Sequence, residues 1–500
     1  MARGAVGSLC AGPMTDDVPP SFDDALALYR AGRLGEARAA LNRLLAREPE
    51  HEIAWTALGY VERDIGDAAA SAAALDRALA LNPADPTALA VRARIALERA
   101  EADALDLYAA ALAASPGDPR LLLEQAEARV ERGDSSAIAD LARATERHPD
   151  WAEGQLALAR MRWESLADER FDEGVRRLLA QQPRRLDLWT GLIDLLSSLD
   201  RFGPAAEAAH DARRALGDRA ELMLREAVNA GRAGDVSRAE RLLARLPADD
   251  PAVLVERARH SLRTGALDRA RDLVDAALAN PPSSISAWAV AELTWRSLND
   301  PRSAWLSGQD GLITTVELGL DGETLGRITE LLRSLHATGV QAAGQSVRDG
   351  TQTRWRLFDR PEPELALLKQ AVEAAIANYV AGLPPADEGH PLLRHRDAAL
   401  TITGSWSVRL TGSGRHVSHI HPLGLIGSAC YFVVPGGSGG KLELGRPPAD
   451  LQLDLQPLQV IQPRPGLLAL FPSYIHHGTT PFPAGERMSV AFDVARDPAG

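Results

Sequence analysis

The sequence has 500 residues, of which 45% are hydrophobic and 25% are charged, a composition typical of soluble globular proteins. The formal net charge of -13 argues against a DNA or RNA partner, because nonspecific binding to nucleic acid requires a basic surface. No apolar run approaches the roughly 20 residues that a membrane-spanning helix needs, so we expect no membrane partner.

The length and the cysteines add further expectations. Five hundred residues are too many for one ordinary hydrophobic core, so we expect at least two domains or a repeat array joined to a domain. Cys10 and Cys430 lie far apart, and so few thiols predict a reduced, cytoplasmic protein in which Cys430 is a small core residue. Residues 1–19 lack the apolar stretch of a secretory signal and are predicted to form a disordered N-terminus. The basic side chains are almost all Arg, a bias typical of a GC-rich bacterial genome.

Residues 20–300 carry the pattern of helical repeats. The segment is rich in Ala, Leu, Arg and Glu, and its apolar residues recur at helical spacing. Prolines follow one another at intervals of 34, 33, 33 and 34 residues, at Pro49, Pro83, Pro116, Pro149 and Pro183. This period is the length of one helix-turn-helix unit, and we expect roughly seven or eight such hairpins.

The stretch from Glu52 to Pro83 resembles the tetratricopeptide pattern closely. Gly59 and Ala78 are small at positions where two helices come close, and Gly66 falls in the turn between them. Pro83 ends the second helix because it has no amide hydrogen to donate. Most apolar residues of such an array are expected to pack between neighbouring helices. The concave surface of the superhelix is the expected binding site for a protein or peptide partner.

After Pro301 the sequence changes from helical to mostly strand-forming. A helix is predicted over 363–381, and beyond residue 398 short β-prone runs are separated by Gly and Pro turns. These runs are ALTITGSWSVRL, SACYFVVP, GKLELG, LQVIQP, GLLALFP and RMSVAFDVA. Many short strands at this spacing are typical of a jelly-roll barrel. The predicted fold is therefore α+β and multidomain, with an all-α tetratricopeptide superhelix at 20–300 and a double-stranded β-helix (jelly-roll) barrel with flanking helices at 301–500.

Histidines are concentrated in the predicted barrel. Three of the chain's 12 histidines fall within the six residues HVSHIH at 416–421. Imidazole is a poor choice for an apolar core and a good metal ligand. His419 and His421 are two positions apart, so on an extended strand their side chains project from one face and can converge on one ion. Further along the chain, an apolar strand after Gly466 leads to His476 and His477.

A third motif follows in the segment ERMSVAF. Arg487 and Ser489 share one face of the predicted strand, and the apolar Met488 and Val490 share the other. The planar guanidinium of an arginine suits a carboxylate ligand better than the point charge of a lysine. The motif begins ten positions after His477.

Together these motifs make residues 305–500 resemble the Fe(II)- and 2-oxoglutarate-dependent oxygenases, specifically those fused to tetratricopeptide arrays. In that family a His-x-Asp or His-x-Glu pair and a distal His bind iron, and an Arg-x-Ser motif beyond the distal His holds the cosubstrate. The resemblance implies Fe(II) as the metal and 2-oxoglutarate as the cosubstrate. The implied metal ligands are His419, His421 and His477, and the implied cosubstrate residues are Arg487, Ser489 and Tyr431.

His421 stands where the family has a carboxylate, and this departure leaves three interpretations open. The first, which we favour, is that His421 ligates the metal directly. The second is that the iron uses only His419 and His477 together with water. The third is that a carboxylate such as Glu443 or Asp493 approaches from another strand. Three neutral histidines would leave the iron with one more net positive charge than the usual triad.

Four other residues near the motifs are assigned weaker roles. His416 is expected in a loop or behind a ligand, and His476 would face away from His477 on a regular strand. Trp406 and Arg409, on the strand before the histidine cluster, are candidates for the substrate pocket. Packing is the main role expected of Trp406.

The resemblance implies an enzyme that couples the decarboxylation of 2-oxoglutarate to the hydroxylation of a C–H bond. Because the repeat array would recruit the substrate, a protein or peptide side chain is the expected target. One alternative is a catalytically inactive interaction scaffold whose barrel only binds a ligand, which the missing carboxylate favours. Another is a three-histidine metal dioxygenase that uses no 2-oxo acid, against which Arg487 and Ser489 argue.

Overall fold

A computed structural model of the chain describes residues 21–279, 284–337, 343–437 and 439–497. The segment 1–19, predicted to be disordered, lies outside these residues. The described chain divides into two compact units, 21–95 and 96–497. The second unit contains helical repeats as well as β-sheets, so the predicted domain boundary at residue 300 stays a prediction. Among the described residues, no helix combines the length and the apolar character that crossing a bilayer requires.

The chain from 22 to 278 is helical, with short turns between helices. Sixteen helices, which correspond to eight helix pairs, occupy this range. They are α1 (Phe22–Arg30), α2 (Leu34–Arg47), α3 (Glu52–Ile65), α4 (Ala68–Leu81), α5 (Pro86–Glu98), α6 (Ala104–Ala114), α7 (Pro119–Glu131), α8 (Ser136–Arg147), α9 (Ala152–Leu166), α10 (Glu173–Gln181), α11 (Leu186–Ser198), α12 (Phe202–Leu216), α13 (Ala220–Arg232), α14 (Val236–Leu243), α15 (Pro251–Arg263) and α16 (Leu267–Leu278). Each of the five periodic prolines follows the second helix of a pair, as the sequence pattern predicts.

The pair α3 and α4 shows why these residues form a helical hairpin. Helix α3 ends at Gly66, whose φ of 96° lies in the left-handed region that favours glycine. A Cβ atom placed on Gly59 would lie 2.6 Å from Cγ of Leu75, so the close approach of the two helices requires glycine at this position. The Ser71 hydroxyl donates a hydrogen bond of 2.8 Å to the Gly59 carbonyl and joins the helices at the same point.

The remainder of the chain combines four helices with two antiparallel sheets. The helices are α17 (Ile285–Leu298), α18 (Arg302–Ser307), α19 (Gly322–Leu335) and α20 (Pro363–Gly382). The strands are β1 (Thr314–Glu317), β2 (Val347–Gln352), β3 (Leu400–His416), β4 (Ile426–Val433), β5 (Leu442–Leu444), β6 (Gln459–Ile461), β7 (Leu467–Pro472), β8 (His477–Thr479) and β9 (Glu486–Arg496). A six-stranded sheet has the order β1-β7-β4-β9-β3-β2, and a three-stranded sheet has the order β6-β5-β8. The predicted α+β fold is confirmed, while the jelly-roll closure of the two sheets stays a prediction.

The six-stranded sheet is buried on both faces. On one face, side chains of β4, β7 and β9 such as Cys430, Leu468 and Val490 pack against α19 and α20. On the other face, Tyr431 and Phe471 belong to a core that includes residues of β5, β6 and α15 to α17. The last repeats therefore pack directly on the sheets. An ion pair of 2.7 Å between Arg263 Nη2 and Asp450 Oδ2 reinforces this contact.

The helix predicted over 363–381 and the six predicted strands are present in the structure. The expectation that His419 and His421 share an extended strand is wrong, because the chain between β3 and β4 is a loop in which His419 makes a single bridge. Strands β1, β2 and β8 and helix α19 have no counterpart in the sequence prediction. Three residues in β8 are too few to show an alternating pattern, and α19 lies in a segment of mixed composition.

Candidate active site

Two segments that are distant in the sequence bring three histidines together. The amide of His419 donates to the His477 carbonyl at 3.0 Å, and the amide of His477 donates back to the His419 carbonyl at 2.9 Å. The ring centroids of this pair are 4.2 Å apart, and the His421 ring lies 5.3 Å from the first and 4.9 Å from the second. One ring nitrogen from each histidine lies within 4.8 Å of the other two. The three rings can therefore reach a common ion.

The hydrogen bonds of the three rings define their tautomers. Nδ1 of His419 lies 2.9 Å from the carbonyl oxygen two residues earlier, and Nδ1 of His477 lies 3.1 Å from the corresponding carbonyl oxygen. Nδ1 of His421 contacts the Asp493 carboxylate. Because carbonyl and carboxylate oxygens only accept, each Nδ1 carries a proton, which leaves Nε2 as the ring nitrogen that could bind a metal. Nε2 of His421 and Nε2 of His477 are 3.1 Å apart.

Burial favours the neutral, metal-binding form of His419 and His477. Desolvation lowers the pKa of His419 to about 3, and the neighbouring His421 contributes to the shift. Desolvation also lowers the pKa of His477 well below its ordinary value. A neutral imidazole is the ligand form, and three nitrogen donors suit a first-row divalent ion such as Fe(II). The donor set therefore fits the metal that the sequence resemblance implies.

The His421 ring is supported on two sides. Asp493 accepts the hydrogen bond from Nδ1, and the Trp406 ring stacks on the imidazole at 5.5 Å with an interplanar angle of 13°. The other carboxylate considered as a ligand, Glu443, is bound by Arg446 with an Nη2 to Oε1 distance of 2.6 Å. The group of possible ligand atoms that lie within 4.8 Å of one another contains only ring nitrogens of the three histidines, and neither carboxylate is part of it. This geometry favours direct ligation by His421 over ligation by a carboxylate.

Arg487 is a buried cation beside the histidines. It is 2% exposed, its Nε donates to the Gly440 carbonyl at 3.1 Å, and its Nη1 lies 3.4 Å from the Ser489 hydroxyl. Among the described residues, no carboxylate lies within ion-pair distance of its guanidinium. A buried charge without a counterion is costly, so this arrangement fits a ligand that brings its own carboxylate.

Tyr431 supports Arg487 from behind. The Arg487 Cζ atom lies 5.0 Å from the centroid of the Tyr431 ring, within the range of a cation–π contact. The Tyr431 hydroxyl is buried and interacts with the Arg487 guanidinium. Burial raises the pKa of Tyr431 to about 12, so the hydroxyl remains a potential donor at neutral pH. Tyr431 does not line the cavity described next, and its predicted contact with the cosubstrate stays a prediction.

The histidines and Arg487 line one cavity of about 430 Å³. Alternate residues of β9 face this cavity, namely Arg487, Ser489, Ala491 and Asp493. The residues between them, Met488, Val490 and Phe492, are in the core on the opposite face. Trp406 lines the cavity, as the substrate-pocket hypothesis requires. Arg409 is outside the lining, and its Nε binds Glu486 at 2.6 Å.

The other two histidines of the sequence motifs, His416 and His476, lie outside the group of converging ring nitrogens. His416 stacks near His419 at 5.8 Å between ring centroids, and its Nδ1 lies 2.9 Å from the Ser346 hydroxyl. The same hydroxyl lies 3.3 Å from Nε2 of His419, so Ser346 connects the two rings. His476 is buried, and its carbonyl accepts a 2.6 Å hydrogen bond from the Gly445 amide. The sequence motifs missed Ser346, which lies more than 70 positions before His419 and carries no local signal of this role.

Comparisons with known proteins agree with the two regions of the fold. Residues 404–493 match a family model described as "Putative 2OG-Fe(II) oxygenase". Residues 22–86, 56–119 and 224–285 match a tetratricopeptide repeat model. No curated protein matches the chain.

Solved structures show only distant similarity. A prolyl-4-hydroxylase from Pseudomonas putida is 14% identical, with 37% of this chain and 92% of the other covered and a TM-score of 0.28. Yeast Tom70 is 16% identical, with coverages of 58% and 63% and a TM-score of 0.39. A tetratricopeptide repeat protein from Parabacteroides merdae is 17% identical, with coverages of 54% and 96% and a TM-score of 0.34. Such low TM-scores carry no argument about function. The family matches identify the chain as tetratricopeptide repeats joined to a C-terminal domain of the 2OG-Fe(II) oxygenase type.

Proposed function

We propose that this chain is an Fe(II)- and 2-oxoglutarate-dependent dioxygenase that hydroxylates a protein or peptide side chain recruited by the repeat array. The observation that carries the proposal is the presence of two incomplete groups in one cavity. Ring nitrogens of three histidines converge within 4.8 Å of one another, and the buried Arg487 has no ion-pair partner among the described residues. A divalent cation and a dicarboxylate would complete both groups at once.

Each residue has a defined task in this proposal. His419, His421 and His477 would hold the metal through Nε2, and three ligands on one side leave positions for a bidentate 2-oxo acid and O2. Arg487 would bind the far carboxylate of 2-oxoglutarate with a charge-assisted hydrogen bond, and Ser489 would add a second hydrogen bond. Iron and 2-oxoglutarate, when bound, supply oxidising chemistry in which a C–H bond, O2 and the 2-oxo acid become a C–OH group, succinate and CO2.

The protein itself orients the reactants and excludes water. The hydrogen bonds at the three Nδ1 atoms fix the ring orientations before metal binds. The Trp406 ring covers one side of His421. In this desolvated cavity the interaction of Arg487 with a carboxylate is stronger than it would be in water.

An anaerobic titration of the full chain with Fe(II) and 2-oxoglutarate tests the proposal. Chelation of the 2-oxo acid by a bound ferrous ion is expected to produce a weak visible charge-transfer band that neither component produces alone. Arg487→Gln should retain iron but need a much higher 2-oxoglutarate concentration to develop the band. Iron binding without the band in the wild-type protein would favour the three-histidine dioxygenase that uses no 2-oxo acid.

The inactive scaffold remains a second candidate, because the group of ring nitrogens contains no carboxylate. A scaffold would bind partners through its repeats while its barrel produced no succinate. Measuring succinate formation with Fe(II), 2-oxoglutarate and O2 separates the two candidates, because only the oxygenase would consume 2-oxoglutarate. Absence of both iron binding and succinate would support the scaffold.

A further inference from the structure

The cavity that contains the histidines has a second wall, which the repeats provide. Ser197 and Ser198 at the end of α11, Asp200 just after it and Arg232 at the end of α13 line this cavity together with the three histidines. A substrate in this cavity can therefore contact side chains of the repeats as well as His419. The repeats form part of the substrate site in addition to any surface that recruits a partner from farther away.

Specific contacts join this wall to the segment 344–348. The Gly344 amide donates to the Ser198 carbonyl at 3.1 Å, and the guanidinium of Arg348 pairs with the Asp200 carboxylate. Two residues before Arg348, the Ser346 hydroxyl lies 3.3 Å from Nε2 of His419. A short segment of chain thus connects the end of α11 to a candidate metal ligand.

Some charged side chains around the cavity form ion pairs and others do not. Its charged lining residues other than histidine are Asp200, Arg232, Arg348, Arg487 and Asp493. Asp200 pairs with Arg348, and Asp493 pairs with His421. In the proposed function Arg487 is reserved for the cosubstrate. Arg232 is then the cation among these described residues that remains available for a substrate.

Arg232 is held in a defined orientation without being neutralised. Its Cζ atom lies 3.9 Å from the centroid of the Phe202 ring, so a cation–π contact supports the planar guanidinium from one side. It forms no ion pair with a described residue, although Asp450, Asp200 and Glu256 are close enough to act on its charge, and it is an exposed residue of the cavity lining. A guanidinium presented in this way has donors available for a carboxylate, which it binds in a forked geometry.

A groove leads from this wall along the repeats. It shares Ser197 with the cavity and is lined by residues of α11, α13, α15 and the start of α17. Asn229 lines the groove three residues before Arg232, so the two side chains lie on neighbouring positions of one helix face. The Asn229 side chain is 3% exposed, and its Oδ1 has no hydrogen-bond partner among the described residues. An extended peptide backbone offers the amide hydrogens that such an oxygen lacks.

We propose that Arg232 binds the carboxylate of an acidic residue in an extended peptide substrate that lies along this groove. The acidic residue is close in sequence to the side chain that enters the cavity, and Asn229 pairs with the peptide backbone. This inference rests on the proposed function for the chemistry at the histidines, but the binding step itself requires neither iron nor turnover.

A matched peptide library tests the inference by binding alone. Immobilised full-length protein, without added metal, is exposed to synthetic peptides in which each Asp- or Glu-containing member has an Asn- or Gln-containing counterpart. Mass spectrometry measures the ratio of retained acid to retained amide. Wild-type protein should retain the acidic members roughly tenfold better, the effect of one charge-assisted contact. Equal retention of the two sets, or no retention of either, would overturn the proposal.

Two variants and a control locate the effect. Arg232→Gln should remove the preference for acidic peptides, and Arg232→Glu should reverse it. Arg214→Gln is the control, because Arg214 is an exposed arginine of α12 outside the lining of both the cavity and the groove. If Arg232→Gln still retains acidic peptides better than their amide counterparts, another residue binds the carboxylate. That result would refute the role of Arg232.

A competition experiment tests whether the site binds an extended peptide or only a small acid. N-acetyl-aspartate amide, which has the carboxylate but no extended backbone, should compete at least tenfold more weakly than an acidic peptide. Equal competition would mean that the site takes a small acid, and the peptide part of the proposal would fail. Since this readout involves no metal, failure of the iron and 2-oxoglutarate proposal leaves its outcome unaffected.

Discussion

Nδ1 of His421 donates a hydrogen bond to the carboxylate of Asp493. In the family that the motifs resemble, this position carries a carboxylate that binds the metal. Here a carboxylate, that of Asp493, contacts His421 at Nδ1, on the side of the ring away from the other histidines. The negative charge remains close to the site, and it also selects the tautomer in which Nε2 of His421 is free. In the proposed function, a histidine at this position and an aspartate on β9 would together take the place of a single acidic ligand.

Removal of this carboxylate is expected to weaken metal binding. Partners of metal-binding histidines typically contribute 10- to 100-fold to affinity, so we expect a loss of about tenfold for Asp493→Asn and about 100-fold for Asp493→Ala. The asparagine can still accept the hydrogen bond but lacks the charge. Competition titration with Co(II) or Fe(II) measures the affinities, and Asp454→Asn, an exposed aspartate of the same domain, is the control. Unchanged affinity in Asp493→Ala would contradict the positioning role.

The adjacent histidines His476 and His477 offer a matched pair of variants. His477→Ala should abolish stoichiometric metal binding, because Nε2 of His477 belongs to the converging group. His476→Ala should retain it, although both residues are buried and both changes create similar cavities. Metal content after dialysis, together with the melting temperature of each variant, checks the prediction. Loss of metal in His476→Ala with unchanged stability would mean that the group has been misassigned.

Substitution of Arg487 should have opposite effects on cosubstrate binding and on the ligand-free protein. Arg487→Gln removes a charge-assisted contact worth about 2–3 kcal/mol, which corresponds to roughly a hundredfold loss of 2-oxoglutarate affinity. The same change removes a buried charge that lacks an acidic partner among the described residues, so the free energy of unfolding without ligand should not decrease. Calorimetric titration in the presence of Mn(II) and urea unfolding measure the two quantities. A marked loss of stability without loss of affinity would assign Arg487 a purely structural role.

Protonation of His336 is expected to lower the stability of the C-terminal region in acid. It is 4% exposed, its Nδ1 and Nε2 lie 2.8 Å from Thr351 Oγ1 and 3.0 Å from Ser407 Oγ, and desolvation lowers its pKa to about 4. The unfolded state, with an ordinary histidine pKa, binds a proton that the folded state refuses between about pH 6.5 and pH 4. Stability should therefore be complete above pH 6.5 and decrease as the pH falls.

For His336 alone this loss is about 2 kcal/mol between pH 7 and pH 5. His336→Gln keeps a hydrogen-bonding side chain but cannot take up the proton. Urea unfolding at both pH values should show that the variant loses about 2 kcal/mol less than the wild-type protein. Equal losses in the two proteins would mean that His336 is protonated in the folded state as well.

Much of the fold is encoded in local patterns. The proline period predicts the helix pairs because each proline ends a helix through its missing amide hydrogen, an effect that involves only neighbouring residues. Alternation along β9 predicts that Arg487 and Ser489 share a face and that Val490 lies opposite, because successive side chains of any strand point to opposite faces. The resemblance relies on two similarly short spacings, from His419 to His421 and from His477 to Arg487. Those features follow from the sequence by itself.

Only the tertiary structure decides how these pieces meet. His419 and His477 are 58 positions apart, and their contact depends on the main-chain bridge between a loop and the short strand β8. The sequence leaves open whether Asp493 binds metal or His421, because both arrangements have the same spacing and differ only in distances across the sheet. The position of Arg232 in the lining of the same cavity depends on how the repeats pack on the sheets. Contacts between remote side chains arise from sheet register and helix packing, which no short segment of sequence contains.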